Sequence, residues 1–222
     1  MLSNLNGEMI KLLAAGIGET LYMTLVSTFV AYIIGLPVGI LLYITDEDGI
    51  KENKVVNKVL GTAVNLLRSI PFILFLVAIM PVTRFIVGTT IGSTATIVPL
   101  VGSAAPYIAR MVESSLKEVD YGVIEAARSM GANAKQIIFK VLLVEAKPSL
   151  IVGAAITITT ILGYTAMAGM VGGGGLGAIA INYGYYRYQT DIAWVTIALL
   201  IIVVQIFQEI GSRIAKHSDK RA

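Results

Sequence analysis

The chain has 222 residues, of which 56% are hydrophobic and 14% charged, with a mean hydropathy of +0.80 and a net charge of +3. Soluble domains carry roughly 25% charged residues, so this composition excludes a soluble enzyme, a disordered chain and a nucleic-acid binder. Cysteine is absent and the single histidine, His217, lies in a charged tail, which removes disulfides, thiolate metal sites and imidazole catalysis. An integral membrane protein remains, all-α and within the size of one domain.

A membrane helix needs about 20 mostly apolar residues to cross a hydrocarbon core of about 30 Å. Charge-free stretches run over Leu21–Thr45, Phe85–Ala109, Pro148–Tyr186 and Ile192–Gln208. The third is too long for one crossing, and the glycines of Gly172–Gly175 divide it into a helix and a loop. The stretch Ser69–Thr83 holds only 15 residues, so its helix must recruit Val59–Leu67 and carry Arg68 inside. Five spans are therefore expected, near 17–43, 58–82, 86–110, 149–170 and 191–212. The start MLSNLNGEMIKLL has no basic region and no small-residue cleavage site follows the apolar run, so a retained first helix is expected in place of a signal peptide.

Lysine and arginine set the orientation. Outside Arg68, thirteen fall in the loops after spans one and three and in the tail, against three (Lys11, Arg84, Arg187) on the other side. This places the amino terminus outside and the carboxyl terminus inside. Tyr183, Tyr185, Tyr186 and Tyr188, with Trp194, then form an aromatic belt at the outer interface, suited to lipid headgroups or to substrate.

Arg68 would lie near mid-depth, where a charge must face protein or water. Pro71 follows within a turn and weakens the helix there, so an inward-facing bend is expected. Met167 and Met170 fit either the lining of a pathway for an apolar amino acid or ordinary packing. Gly172-x-Gly174-x-x-Gly177 matches a dinucleotide fingerprint in letters, but that mechanism needs a preceding strand; a flexible outer connection is expected instead.

The loop over residues 113–147 is long, cytoplasmic and amphipathic. Ser115-x-x-Glu118 has the form of a capping box, Asp120 can cap a helix through Tyr121–Met130, and Asn133 can cap a second over Ala134–Val144. Helix, glycine turn, helix suits docking onto a partner or packing on its own bundle; the pattern alone leaves both open.

Within this loop, Glu125-Ala126-Ala127-x-x-x-Gly131 followed by Val141-x-Leu143 resembles the EAA motif of ABC importer permeases. It departs at Val141, where Ile is usual, and at Val144, where Pro is usual. Arg68-Ser-Ile-Pro71-Phe72-Ile73, the stretch from Gly102 through Pro106 and Arg110 to Glu113, and Gly163-Tyr164-Thr-Ala-Met167 are similar to permease subunits of methionine uptake importers.

The resemblance implies a type I importer permease fold and a multi-pass subunit of the cytoplasmic membrane that pairs with a second copy of itself. It also implies that Glu125, Ala126, Ala127, Gly131, Val141 and Leu143 couple to cytoplasmic ATPase subunits. An extracytoplasmic methionine-binding protein would deliver the substrate. Candidate pathway or gate residues are Arg68, Ser69, Pro71, Tyr164, Met167 and Met170. No cofactor, metal or nucleic-acid partner is expected, and the surrounding contacts are membrane lipid. No GxxxxGK[ST] occurs in the chain, so ATP hydrolysis is expected in a separate partner. The alternatives are a permease for another polar amino acid and an ion-coupled secondary transporter. The latter usually carries Asp or Glu within its spans, and five spans do not divide into equal inverted repeats.

Overall fold

The computed structural model describes residues 6–47 and 49–218. Residues 1–5, and Lys220 and Arg221 from the charge tally, lie outside the described residues. In chain order the elements are α1 (Gly7–Thr45), α2 (Lys54–Arg68), α3 (Phe72–Ala78), α4 (Met80–Val87), α5 (Ser93–Lys117), α6 (Tyr121–Ser129) and α7 (Ala134–Gln136). A π-helical segment (Ile137–Leu142), α8 (Leu143–Glu145), α9 (Lys147–Ala168), a 3₁₀ turn (Gly169–Val171), α10 (Gly175–Ile179), a second π segment (Ala180–Tyr185) and α11 (Thr190–Ser218) complete it. Among the described residues, four helices are long and apolar enough to cross a membrane, and the bent pair α2–α3 makes a fifth crossing if counted as one.

Helix α5 is the centre of the bundle. Leu100, Ala104, Ile108, Val112 and Leu116 recur at helical spacing and are all buried. Helix α1 lies against it through Gly35 and Gly39, one turn apart. A side chain at Gly35 would meet the Ala105 carbonyl at 2.7 Å, and one at Gly39 the Ala109 carbonyl at 2.5 Å. Small residues at this spacing let two membrane helices approach backbone to backbone. Thr20, Thr24 and Thr28 return their hydroxyls to the carbonyl four residues back, so these three donors are satisfied within the helix in an apolar setting.

Several element bounds differ from the sequence expectation, each for a local reason. Helix α1 starts at Gly7 and not near 17, because Asn6 caps it and Met9 and Leu13 pack on Leu176, Ile179 and Ile192. At 39 residues it is about 58 Å long, far beyond a hydrocarbon core. The bend expected at Pro71 within the span 58–82 is a full break: α2 ends at Arg68, Pro71 precedes α3, and the two helices are bent by 101°. Arg68 is consequently an exposed helix-terminal residue and not one carried inside the helix. The span expected from 86 begins at Ser93, since α4 runs to Val87 and Gly88, at φ 84°, ends it. Helix α11 continues to Ser218, its polar extension carrying a Glu209–Arg213 pair at 2.6 Å.

Candidate functional site: the inner loop and the bend above it

Helix α6 begins at Asp120, whose carboxylate accepts from Gly122 N (2.7 Å). It ends in a Schellman arrangement: Ala132 N donates to Ala127 O and Gly131 N to Arg128 O, with Gly131 at φ 82°. A side chain at Gly131 would meet nothing within 4 Å, so shape and not crowding selects glycine there. Asn133 and Gln136 then form a reciprocal capping box for α7. Ser115-x-x-Glu118 is not such a box. Ser115 lies buried in the last turn of α5, where its hydroxyl meets Ser149 Oγ at 2.9 Å and ties α5 to the start of α9.

The loop packs on its bundle and also presents a free face. Ile124, Ala127, Ile137 and Leu142 join the main core with Leu116 and Val119, and Val141 and Leu143 pack half-buried against it. On the opposite side of α6, Glu125 and Ala126 are exposed together with Tyr121, Val123 and Met130. The structure thus divides the motif. Glu125 and Ala126 face outward; Ala127, Val141 and Leu143 hold the loop to the bundle; Gly131 shapes the turn. An apolar outer face on a charge-rich loop is the mark of a covered surface.

Above the loop, the bend gathers part of the candidate pathway set. Ser69 donates both its N–H (3.1 Å) and its hydroxyl (2.8 Å) to Asn65 O, closing α2. Pro71 starts α3, and the next residue, Phe72, stacks on Tyr164 of α9 at 4.4 Å and 5°. Pro71 and Tyr164 are therefore brought together through Phe72, which the sequence reading left out of the set. Met167 and Met170 lie exposed further along the same helix and the turn after it. Arg68 touches none of them through a recorded hydrogen bond or ion pair.

Two polar groupings were also left out. Arg110 and Glu113 form an ion pair at 2.6 Å on the inner half of α5. Their signal in the sequence was two opposite charges three residues apart beside an apolar run. At the other end, Glu19 Oε2 accepts from Gly175 N (2.6 Å) and Thr20 Oγ1 from Leu176 N (2.9 Å). With Gly92 N donating to Gly172 O (2.9 Å) and Thr96 Oγ1 to Gly173 O (3.3 Å), the glycine run is pinned on two sides. It is not the flexible connection expected. The aromatic segment beyond it is exposed at Tyr185, Tyr186, Tyr188 and Trp194, with Arg187 over the Tyr183 ring at 4.3 Å.

Residues 35–221 match the family described as binding-protein-dependent transport system inner membrane component. The chain is 49% identical over 210 residues, 95% of its length and 93% of the relative's, to a probable D-methionine transport system permease protein MetI of Vibrio cholerae. It is 46% identical, with 91% of each chain covered, to the methionine import system permease protein MetP of Bacillus subtilis. Among solved structures, it matches a chain of the MetNI methionine ABC transporter in inward-facing conformations, with a TM-score of 0.96 and 49% identity over 97% of this chain and 100% of that one. A transport motif on a projecting loop, a bundle with this connectivity and a family match over most of the sequence agree: the chain belongs to the inner membrane components of binding-protein-dependent transport systems, with the type I importer permease fold.

Proposed function

We infer that this chain is the membrane-spanning subunit of an ATP-binding-cassette importer that moves methionine across the cytoplasmic membrane by alternating access. The observation that carries this reading is the full-length match, in sequence and in backbone, to permeases named for methionine import. Two copies of the chain pair in the membrane, an ATPase subunit docks on each inner loop, and an extracytoplasmic binding protein delivers substrate to the outer face. Hydrolysis belongs to the ATPase, since this chain lacks a P-loop.

The exposed face of α6 around Glu125 and Ala126 supports the docking role, because its apolar neighbours Tyr121, Val123 and Met130 would otherwise stand in water. Ser69, Pro71, Phe72 and Tyr164 border the pathway. Arg68, at the end of α2, and Met167 and Met170, exposed on α9 and the turn after it, complete the proposed pathway set.

The test is co-purification with candidate ATPases followed by methionine uptake in reconstituted vesicles. ATP-dependent uptake is expected, with no response to an imposed proton or sodium gradient. Gradient-driven uptake by vesicles holding this chain alone would overturn the reading in favour of a secondary transporter. Orientation is checked separately: a cysteine introduced at His217 reacts only from the cytoplasmic side.

A further inference from the structure

The inner half of α5 carries charge where the rest of the helix is apolar. Glu113 is 5% exposed. A carboxylate removed from water to that degree is tolerated only with several charged or donating partners. Arg110 Nη1 sits 2.6 Å from one of its oxygens and Lys117 Nζ 3.0 Å from the other.

Both cations are shared with other helices. Arg110 Nε donates to Asn65 Oδ1 (3.1 Å) and Nη2 to the Gly61 carbonyl (3.2 Å), both on α2. Lys117 reaches Asp46 Oδ2 at the end of α1 (2.7 Å). The fixed fork of the guanidinium lets one side chain hold Glu113 and α2 at once. Helix α2 is tied to α1 as well, through Asn57 Nδ2 donating to Leu42 O (2.8 Å).

The ends of this cluster lie at the two places of interest. On one side, Glu118, Val119 and Asp120 alone separate Lys117 from α6, and Val119 is buried in the core that also holds Ile124 and Ala127. On the other side, Asn65 accepts Arg110 with its side chain and Ser69 with its carbonyl, one turn before the 101° bend. Apolar residues of similar size would hold three helices together at lower desolvation cost. A charged cluster running from the docking helix to the bend does something packing alone does not: it fixes direction and register between them.

We propose that Glu113 is a positioning residue, clamping Arg110 and Lys117 so that displacement of α6 is carried to the α2–α3 bend through Asn65. The proposal rests on the reading of this chain as an ATP-driven permease.

The test uses the complete importer in vesicles, with ATP hydrolysed and methionine moved measured separately. Asn65 is exposed, so Asn65→Ala removes the Arg110 contact without opening the core; Glu113→Gln removes the charge at the centre. Both complexes are expected to hydrolyse ATP at the parental rate while methionine moved per ATP falls about tenfold, a coupling loss of ordinary size. Asn65→Asp, which keeps an acceptor for Arg110, should retain the parental ratio. If Glu113→Gln does not assemble, Asn65→Ala decides alone. An unchanged ratio in Asn65→Ala beside an active parental complex overturns the proposal and leaves the functional reading intact. A parental complex that moves no methionine under ATP overturns both.

Discussion

The two ends of the bundle are locked by different chemistry. At the inner end, the charged Arg110, Glu113, Lys117 and Asp46, with the neutral amide of Asn65, join three helices, and Arg110, Glu113 and Lys117 each hold more than one partner. At the outer end, Glu19, Thr20 and Thr96 hold the backbone of a glycine loop, each through a single bond to one amide or carbonyl. The bond from the exposed Glu19 to a loop amide is exchangeable for water at a net cost of about 1 kcal/mol. Thr20 and Thr96 are buried, and their bonds to the loop have no such exchange. A buried carboxylate stripped of a cation has no such substitute, and breaking a buried pair costs about 3–5 kcal/mol. The inner end is therefore built to move as a block, and at the outer end a local rearrangement is cheap only at the Glu19 bond.

The largest expected effect comes from disturbing how the inner block meets its partner. Gly131 is in the left-handed region, which costs an ordinary residue about 1–2 kcal/mol and a β-branched one more. Gly131→Val should insert and dimerise, yet lose ATPase association or most ATP-driven uptake, by about tenfold or more. Gly131→Ala should lose less, because an unbranched side chain is less strained at this positive φ. Parental uptake by the Val variant would remove the coupling role from this turn.

The adjacent alanines separate docking from folding. Ala126 is exposed and Ala127 is 5% exposed within the core. Ala126→Leu should abolish co-purification with the ATPase while leaving the melting temperature unchanged. Ala127→Leu overfills a packed site and should cost about 1–3 kcal/mol of stability, read as earlier thermal unfolding of the detergent-solubilised chain. Equal behaviour of the two variants would mean that α6 does not have two distinct faces.

That division was not legible in the sequence. The letters Glu125-Ala126-Ala127 and Gly131 located the loop, and Asp120 and Asn133 set its helix starts, because caps and glycine turns are local signals. Which alanine faces inward depends on where Ile124 and Leu142 pack, which is a tertiary fact. The charge-free stretches likewise found the crossings, and Pro71 signalled a bend, but Arg68 and Pro71 were still read within one bent span. The 101° turn there follows from a proline start at α3 and from Phe72 stacking on Tyr164, 92 positions away in the chain. The glycine run misled for a related reason. Its composition suggested looseness, while its hydrogen bonds come from Glu19, Thr20 and Thr96, far off in sequence.

A smaller effect is expected at the outer clasp. Glu19→Gln keeps an acceptor for Gly175 N but removes the charge, a change of about 1 kcal/mol for a partly exposed charge-assisted bond. Amide exchange at Gly175 and Leu176 should quicken severalfold, while amides around Asn65 keep their parental protection. Loosening at both ends together would contradict the independence of the two locks.

The smallest effect is expected at the exposed edge of the inner cluster. Asp46 lies beyond the end of α1, where the hydrogen bond from Lys117, with the Glu47 N–H as a lesser donor, holds its carboxyl below the ordinary value of 3.8. A depressed folded-state value means that this contact stabilises fully above the ordinary carboxylate value. It is lost only as pH falls through the lower, folded one. The two side chains are 35% and 49% exposed, so the pair belongs with surface ion pairs, worth about 0–1 kcal/mol. Asp46→Asn should thus lower the melting temperature slightly, by the same amount at every pH from 5 to 8 (roughly the plateau of such a carboxylate), and the difference from the parent should vanish in strong acid. Glu113 keeps Arg110 in this variant, so methionine moved per ATP should stay parental. If Asp46→Asn uncouples transport as severely as Glu113→Gln, then burial is not what makes the inner cluster stiff, and the contrast between the two ends rests on the number of charges alone.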